Sequence, residues 1–425
     1  MSEKKLKITE VEALPLETHK DASYIIKQNN PNNYTHGFFK YPCKFIPEIP
    51  RWAIKKYMPK TGKIVFDPFE GSGTTLLEAQ IQGYDSYGTE IDPVAKKIIN
   101  VKTQKYDSKI IEIIEQQYQK VIFDVENNES VVPFTPSINN LEHWFNEKNL
   151  ETLGKIKTSI ETIEDEKAKS FLELILLSII KSVSQADDSS PKPYVSKKII
   201  KQAPDALEKF KATYIRYKKS LIDYSNLEIS KNVKIVKGDA LQTKEKFHAD
   251  LAITSPPYIN AFDYPRTLRL ENLWMETHTE ESILKSKSAY VGTERFKLDD
   301  ERKSPIEILD ESSLLKSKFE SIKQIDEKRA FVVKKFFSDM KQNLLNVREH
   351  LADDGVYVIV IGNSTIRNEI IESWKILNDI AKNNGYEFVE HISYNILNPY
   401  IRIPRAGRGG KISQDHILVL RKVNG

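Results

Sequence analysis

The chain holds a single cysteine, Cys43, among 425 residues. A disulfide framework and a Cys-rich zinc module are both excluded. No stretch supplies the ~20 uncharged apolar residues of a membrane span. The best candidate, Phe171 to Val183, is short and carries Glu173 and Lys181. The opening MSEKKLKITEVEA has no apolar signal-peptide region, so a cytoplasmic protein without membrane contact is expected. The eight histidines show neither HExxH nor clustered ligand spacing, so no metal is expected. Charge of one sign is also lacking. With 64 Lys and Arg against 60 Asp and Glu, the net charge is only +4. Global attraction therefore does not demand a polyanion, although a local basic face would suffice.

What remains is a packed globular protein, 40% hydrophobic and 29% charged. Its length suits two or three domains, or one large domain with insertions. The aromatic, Pro-rich stretch YTHGFFKYPCKFIPEIPRWAIKKYMPK (34–60) leads into a short helix between Pro47 and Pro59. The run KIVFDPFEGSGTTLLEAQIQG then predicts a strand at Ile64–Phe66, a glycine turn, and a helix over Thr74–Gln82 closed by Gly83. A second strand should end at Glu90, followed by a helix from Pro93 to Val101.

The alternation stops over 104–228, where apolar residues recur at helical spacing. It resumes with VKIVKGDAL (233–241) and the apolar ADLAITSPPY (249–258). A mixed-charge segment precedes a long helix near 331–350. Then come a strand at 356–364, a helix near 368–384, and strands at 386–394 and 416–422. The first thirty residues give little signal. Interleaved strands and helices predict an α/β fold with a mainly parallel sheet covered on both faces. Core segments are expected at 1–103, 229–275 and 335–425, with a helical insertion at 104–228 and a second at 276–334.

Two turns carry the chemistry. Asp67-Pro68-Phe69-Glu70-Gly71-Ser72-Gly73-Thr74-Thr75 joins a strand to a helix, and its glycines let a ligand approach the backbone. Glu90, at the end of the next strand, suits the two hydroxyls of a ribose. A P-loop would need Lys after Gly73, and a dinucleotide fingerprint would need Gly where Leu76 stands. The second turn is Thr254-Ser255-Pro256-Pro257-Tyr258. Two prolines cannot continue a central strand, so the chain leaves the sheet there in a stiff, extended turn.

The ordered set YPCKFIP, FDPFEGSGTT, TEID, GDAL and TSPPY resembles the S-adenosylmethionine-dependent amino-methyltransferases of DNA, which modify cytosine N4 or adenine N6. The likeness covers the α/β portions. It implies a Rossmann-like class I methyltransferase fold and S-adenosylmethionine as cofactor. By resemblance the cofactor site comprises Lys44, Phe45, Asp67, Pro68, Phe69, Gly71, Gly73, Thr74, Thr75, Glu90, Ile91, Asp239 and Ala240. Glu90 would take the ribose and Asp239 the adenine amine. Catalysis would fall to Ser255, Pro256, Pro257 and Tyr258: hydrogen-bond acceptors for the amine, then a ring that stacks on a flipped base. Serine at 255 leans toward cytosine N4, with adenine N6 still open. The family implies double-stranded DNA as partner, a nucleoid-associated location in a prokaryotic cell, and a cognate restriction endonuclease.

Competing readings are weaker. Pro42-Cys43 resembles the nucleophile pair of cytosine C5 enzymes but precedes the glycine turn, so Cys43 is expected to be a packed residue. A tRNA guanine-N2 enzyme would carry an RNA-binding domain before the turn, and thirty residues are too few. A non-catalytic S-adenosylmethionine-binding module has no need of an intact SPPY. DNA contacts are expected from Arg266 and Arg269 after the second turn, and from the Gly-rich loop bearing Arg402, Arg405, Arg408 and Lys411. A basic stretch, Lys192 to Lys219, with Tyr194, Tyr214, Arg216 and Tyr217, is a further candidate. The target-recognition element is expected in 104–228, with 276–330 as the second choice.

Overall fold

The computed structural model describes residues 8–18, 22–27, 30–44, 46–198, 200–259, 262–395 and 414–423. Strands β1 (Ile8–Val11) and β2 (Ser23–Ile26) precede helix α1 (Glu48–Tyr57). The first alternating stretch is β3 (Ile64–Asp67), α2 (Thr74–Ile81), β4 (Asp85–Gly88) and α3 (Pro93–Thr103). Asp92 caps α3 by accepting the Val94 and Ala95 amides, and Pro93 needs no partner in the first turn. Helices α4 (Ser108–Asn127), α5 (Leu141–Trp144), α6 (Glu147–Glu161), α7 (Glu166–Val183) and α8 (Ala206–Ser225) fill the first insertion. Strands β5 (Val233–Ile235) and β6 (Ala249–Thr254) return the chain to the sheet.

Beyond β6 come α9 (Tyr264–Thr267), α10 (Arg269–Trp274), α11 (Glu280–Ser286), α12 (Leu298–Lys303), α13 (Ser313–Ile325) and α14 (Glu327–His350). The last stretch holds β7 (Leu351–Gly362), β8 (Ser364–Ile366), β9 (Glu369–Ile371), α15 (Ser373–Asn383), β10 (Tyr386–Asn395) and β11 (Gln414–Lys422). Helix α14 starts before the expected 334/335 boundary. Part of the helix expected near 368–384 is instead the β8–β9 hairpin, turned by Arg367 and Asn368 at φ of 52° and 67°.

The sheet order is β1-β2-β10-β11-β7-β6-β3-β4-β5. From β5 to β7 every pairing is parallel, while β11 runs antiparallel to both β7 and β10. Five strands in this doubly wound order reverse direction of travel between β3 and β6, and ligands bind at such a switch point, outside the carboxyl ends. This is the α/β, Rossmann-like arrangement expected from the sequence. The glycine turn leaves β3 and the SPPY turn leaves β6.

Alternate residues of β7 face opposite layers, as the two-residue period requires. Val356, Val358 and Val360 pack with Trp52 and Ile54 of α1. Tyr357, Ile359 and Ile361 pack with Phe336 and Met340 of α14 and Ile376 of α15. A third core joins α4, α6, α7 and α8 to Ile98 of α3 and Trp274 of α10, so the first insertion shares its interior with the sheet domain. Among the described residues no helix is long and apolar enough to cross a membrane.

Part of the basic stretch within that insertion is turned inward or paired. Tyr214 and Tyr217 are buried. Tyr214 donates its hydroxyl to Glu115 at 2.5 Å, and the Tyr217 hydroxyl meets the Phe39 amide at 2.6 Å. Lys218 pairs with Glu115, Lys211 with Glu126 and Lys201 with Asp188. Acids of the same insertion thus engage three of its lysines, while Lys197, Lys198, Lys209, Arg216 and Lys219 are exposed.

Candidate active site

Strand β3 ends at Asp67, wholly buried. Its Oδ1 accepts the Thr254 hydroxyl at 2.5 Å and the Phe69 amide at 3.0 Å. Thr254 Oγ1 also accepts the Phe69 amide, at 3.2 Å. Thr254 ends β6 and immediately precedes Ser255, so one hydrogen-bonded cluster ties the two turns together. Burial pushes the Asp67 carboxyl up to about 6, against the pull of Thr254, Thr75 and the Phe69 amide.

The glycine turn follows, with Gly71 at φ +57° and Gly73 at φ +81°. Those left-handed conformations are strained for any residue with a Cβ. Glu90 holds the turn from the side. Its Oε2 accepts the Gly71 amide at 2.9 Å, and Oε1 accepts the Ile91 and Asp92 amides at 2.7 and 2.8 Å. Burial still dominates and pushes the Glu90 carboxyl up to about 7.

Both turns open onto one cleft of about 790 Å³. Of the residues expected from sequence, Lys44, Pro68, Phe69, Gly71, Thr74, Glu90, Ile91, Asp239, Ala240, Ser255 and Pro257 line it. Asp67, Gly73, Thr75, Pro256 and Tyr258 adjoin those residues in the two turns without being part of the lining. Asp67, Thr75 and Pro256 are buried. Tyr258 is half-buried and donates its hydroxyl to Asp415 at 2.7 Å. Phe45 lies outside the described residues. Asp239 Oδ1 accepts the Leu241 and Gln242 amides, so it shapes its own turn rather than capping a helix.

Other lining residues were not singled out from the sequence: Glu70, Ser72, Thr89 and Leu241 within the quoted motifs, and Ala289, Tyr290 and Val291 from the second insertion. Tyr290 is anchored by its hydroxyl, 3.1 Å from Asp92 Oδ2. Tyr41, Tyr264 and Tyr290 form a stacked series with centroids 6.0 and 6.3 Å apart. Cys43 is exposed to the cleft rather than packed, a correction to the sequence expectation. The protein surrounding it still pushes the thiol up to about 12.

Charged groups converge beneath the turn. Lys44 Nζ donates to the His36 carbonyl at 2.7 Å, and burial pulls its ammonium down to about 8. Glu70 is buried and neither carboxyl oxygen has a hydrogen-bond partner. Desolvation, reinforced by Asp67, holds it well above the usual carboxylate range. Lys102, fully buried, donates to the Ser72 carbonyl at 2.6 Å. Among the described residues no group of three or more His, Cys, Asp or Glu is placed to hold a metal ion.

The expected DNA contacts divide. Arg266 is exposed on α9. Arg269 is not free. Its guanidinium forms a two-point ion pair with Glu280 and covers the Trp144 ring at 4.9 Å. Arg402, Arg405, Arg408 and Lys411 lie outside the described residues.

Residues 3–101 match the family model described as DNA methylase, of the N6/N4 type. The chain is 25% identical over 378 residues to the type II methyltransferase M.MvaI of Kocuria varians, covering 83% of this chain and 82% of that protein. It is 26% identical over 292 residues to M.BsoBI of Geobacillus stearothermophilus, covering 57% and 53%. It is 30% identical over 161 residues to M.MjaII of Methanocaldococcus jannaschii, covering 36% and 29%. The chain thus spans most of the first relative and about half or less of the other two.

Proposed function

We propose that this chain, whose residues 3–101 match the DNA methylase family model, transfers a methyl group from S-adenosylmethionine to the exocyclic amine of a base flipped out of duplex DNA, cytosine N4 in preference to adenine N6. One observation carries this: Ser255 and Gly71 line the same cleft, and their turns are joined by the Asp67–Thr254 hydrogen bond.

The cleft fits that donor. The Thr74 hydroxyl is buried in its wall without a hydrogen-bond partner, a vacancy costly to leave unfilled. Glu90 presents a carboxylate to hydroxyl donors, and Lys44 an ammonium to a carboxylate. When bound, S-adenosylmethionine supplies an electrophilic methyl group on a sulfonium. Glu90 would hold the ribose, Asp239 the adenine amine, and Lys44 with Thr74 the methionine end.

An exocyclic amine conjugated to its ring is a poor nucleophile. The Ser255 hydroxyl and the Pro256 carbonyl would each accept one of its N–H groups. That turns the nitrogen lone pair toward the donor carbon; the N–C bond would form as the S–C bond breaks, the neutral thioether would leave, and the surplus amine proton would pass to water, with positioning supplying much of the rate. Extruding the base costs on the order of a few kcal/mol, offset by stacking on the Tyr258 ring. Serine rather than aspartate at 255 favours cytosine. The relatives are type II methyltransferases, so the mark would protect DNA from a cognate endonuclease.

The test is incubation with labelled S-adenosylmethionine and plasmid DNA, digestion to nucleosides, and mass spectrometry. N4-methylcytosine is the expected product. N6-methyladenine would keep the reaction class and change the base. Transfer to tRNA alone, or binding without transfer, would overturn the proposal.

A further inference from the structure

Tyr258 is tied to the far end of the chain. Its hydroxyl donates to Asp415 Oδ1 at 2.7 Å, and the Tyr394 hydroxyl donates to Oδ2 of the same carboxylate at 3.0 Å. Asp415 is buried near the start of β11, opposite Tyr394 on one neighbouring strand and Gly362 on the other. A carboxylate paired on both sides of its strand has little freedom to follow a moving ring. The Tyr258 peptide is confined as well. A Cβ on Gly292, itself at φ +79°, would come within 3.0 Å of the Tyr258 carbonyl oxygen.

A buried aspartate is an expensive way to join a strand to a loop, because its charge must be desolvated. Burial pushes this carboxyl up, and the two phenols pull it back. Pro257, the residue before Tyr258, lines the cleft, so the cluster is one residue removed from it. We propose that Asp415 is a positioning residue for methyl transfer: by accepting the Tyr258 hydroxyl it fixes the ring against which the extruded base stacks, and so sets the base's register with Ser255. This rests on the function proposed above.

The experiment compares single-turnover methylation of plasmid DNA, dissociation constants for S-adenosylmethionine, and melting temperatures. The proteins are the wild type, Tyr258→Phe, Asp415→Asn, the double variant, and Tyr394→Phe. Tyr258→Phe keeps the stacking ring and removes only the tether. The expected result is a rate loss of about tenfold to a hundredfold in Tyr258→Phe and in Asp415→Asn, with cofactor affinity unchanged. The double variant should be no slower than the worse single one. Tyr394→Phe should stay within about twofold of wild type. A full rate in Tyr258→Phe, multiplying losses in the double variant, or an equal loss in Tyr394→Phe would each overturn the assignment. If Asp415→Asn does not fold, Tyr258→Phe alone decides. A wild type that transfers nothing to DNA would sink the proposed function, and the positioning role with it. An active wild type with an unimpaired Tyr258→Phe sinks the positioning role alone.

Discussion

The Thr254 hydroxyl donates to the Asp67 carboxylate at 2.5 Å although the two residues are 187 positions apart in the chain. They end two adjacent parallel strands, and each is followed at once by a turn that opens on the cleft. With the β3–β6 pairing and the Phe69 amide bond to Thr254, this hydrogen bond fixes the spacing between the turn proposed to hold the donor and the turn proposed to hold the acceptor.

Replacing Thr254 by Ala should strand the Asp67 carboxylate in the interior. A cost of about 1–3 kcal/mol is expected, read by urea unfolding, with weaker cofactor binding by calorimetry. Thr254→Ser keeps the hydroxyl and should recover most of both. Equal stability in Thr254→Ala and wild type would show that the bond contributes nothing.

Glu90 should make cofactor binding depend on pH. Burial raises its carboxyl to about 7, above the ordinary 4.5. A raised carboxyl stabilises the ligand-free fold fully below the unfolded value, and that contribution is lost as pH climbs through about 7. Ribose hydroxyls need the ionised form, so affinity should fall as pH drops from 8 to 5.5, by no more than about tenfold per pH unit. Glu90→Gln should bind weakly with a flat profile in the same titration.

Cys43 offers a reporter in the cleft. Its thiol is raised to about 12, and the thiolate is the reactive species. Alkylation by iodoacetamide at pH 8 should run roughly three orders of magnitude slower than for a free cysteine of pKa about 8.5. S-adenosylmethionine should slow it further. Free-cysteine reactivity, followed by intact mass, would contradict the environment described for this residue.

The two arginines after the SPPY turn should behave differently. Arg266→Ala should weaken DNA binding and reduce the salt slope by about one. Arg269→Ala leaves Glu280 unpaired and Trp144 uncovered, so it should lower the melting temperature while the salt slope stays put. The opposite pattern in binding titrations at several salt concentrations would reverse the two roles.

Gly73→Ala tests the turn itself. At φ +81° an added Cβ costs about 1–2 kcal/mol and would sit 3.3 Å from Ile99 Cγ1. Lower thermal stability and reduced cofactor affinity are expected together. Gly83→Ala, at φ +86° with nothing within 4 Å of its Cβ, should lose stability without losing affinity.

The two turns were legible because each is written in consecutive residues: a short apolar run, then glycines or prolines that end it. The acid at the end of the next strand was legible for the same reason. Tyr290 and Val291 were not, since a mixed-charge segment reaches the cleft only through packing around Asp92. Strands β1 and β2 were missed because four residues paired in parallel with each other and with β10 leave almost no periodic trace. The buried tyrosines of the basic stretch did leave a clue. Phe210, Tyr214, Tyr217, Leu221 and Tyr224 repeat at alternating spacings of four and three, which marks a buried helix face. Lys211 and Lys218 meet acids 85 and 103 positions away, so those pairs could not be read locally.

Strand β11 occupies a slot between β7 and β10, both of which precede it in the chain. During synthesis those two strands must wait with bare edges, each a template for the wrong neighbour. The glycine turn comes from earlier residues, yet the hydrogen-bond partner of Tyr258 arrives only with Asp415. A ribosome stalled before that strand would leave an adhesive, half-closed sheet, so a chaperone guarding this gap, or a peptide spanning 414–422 supplied in trans, should govern how much active protein a cell obtains.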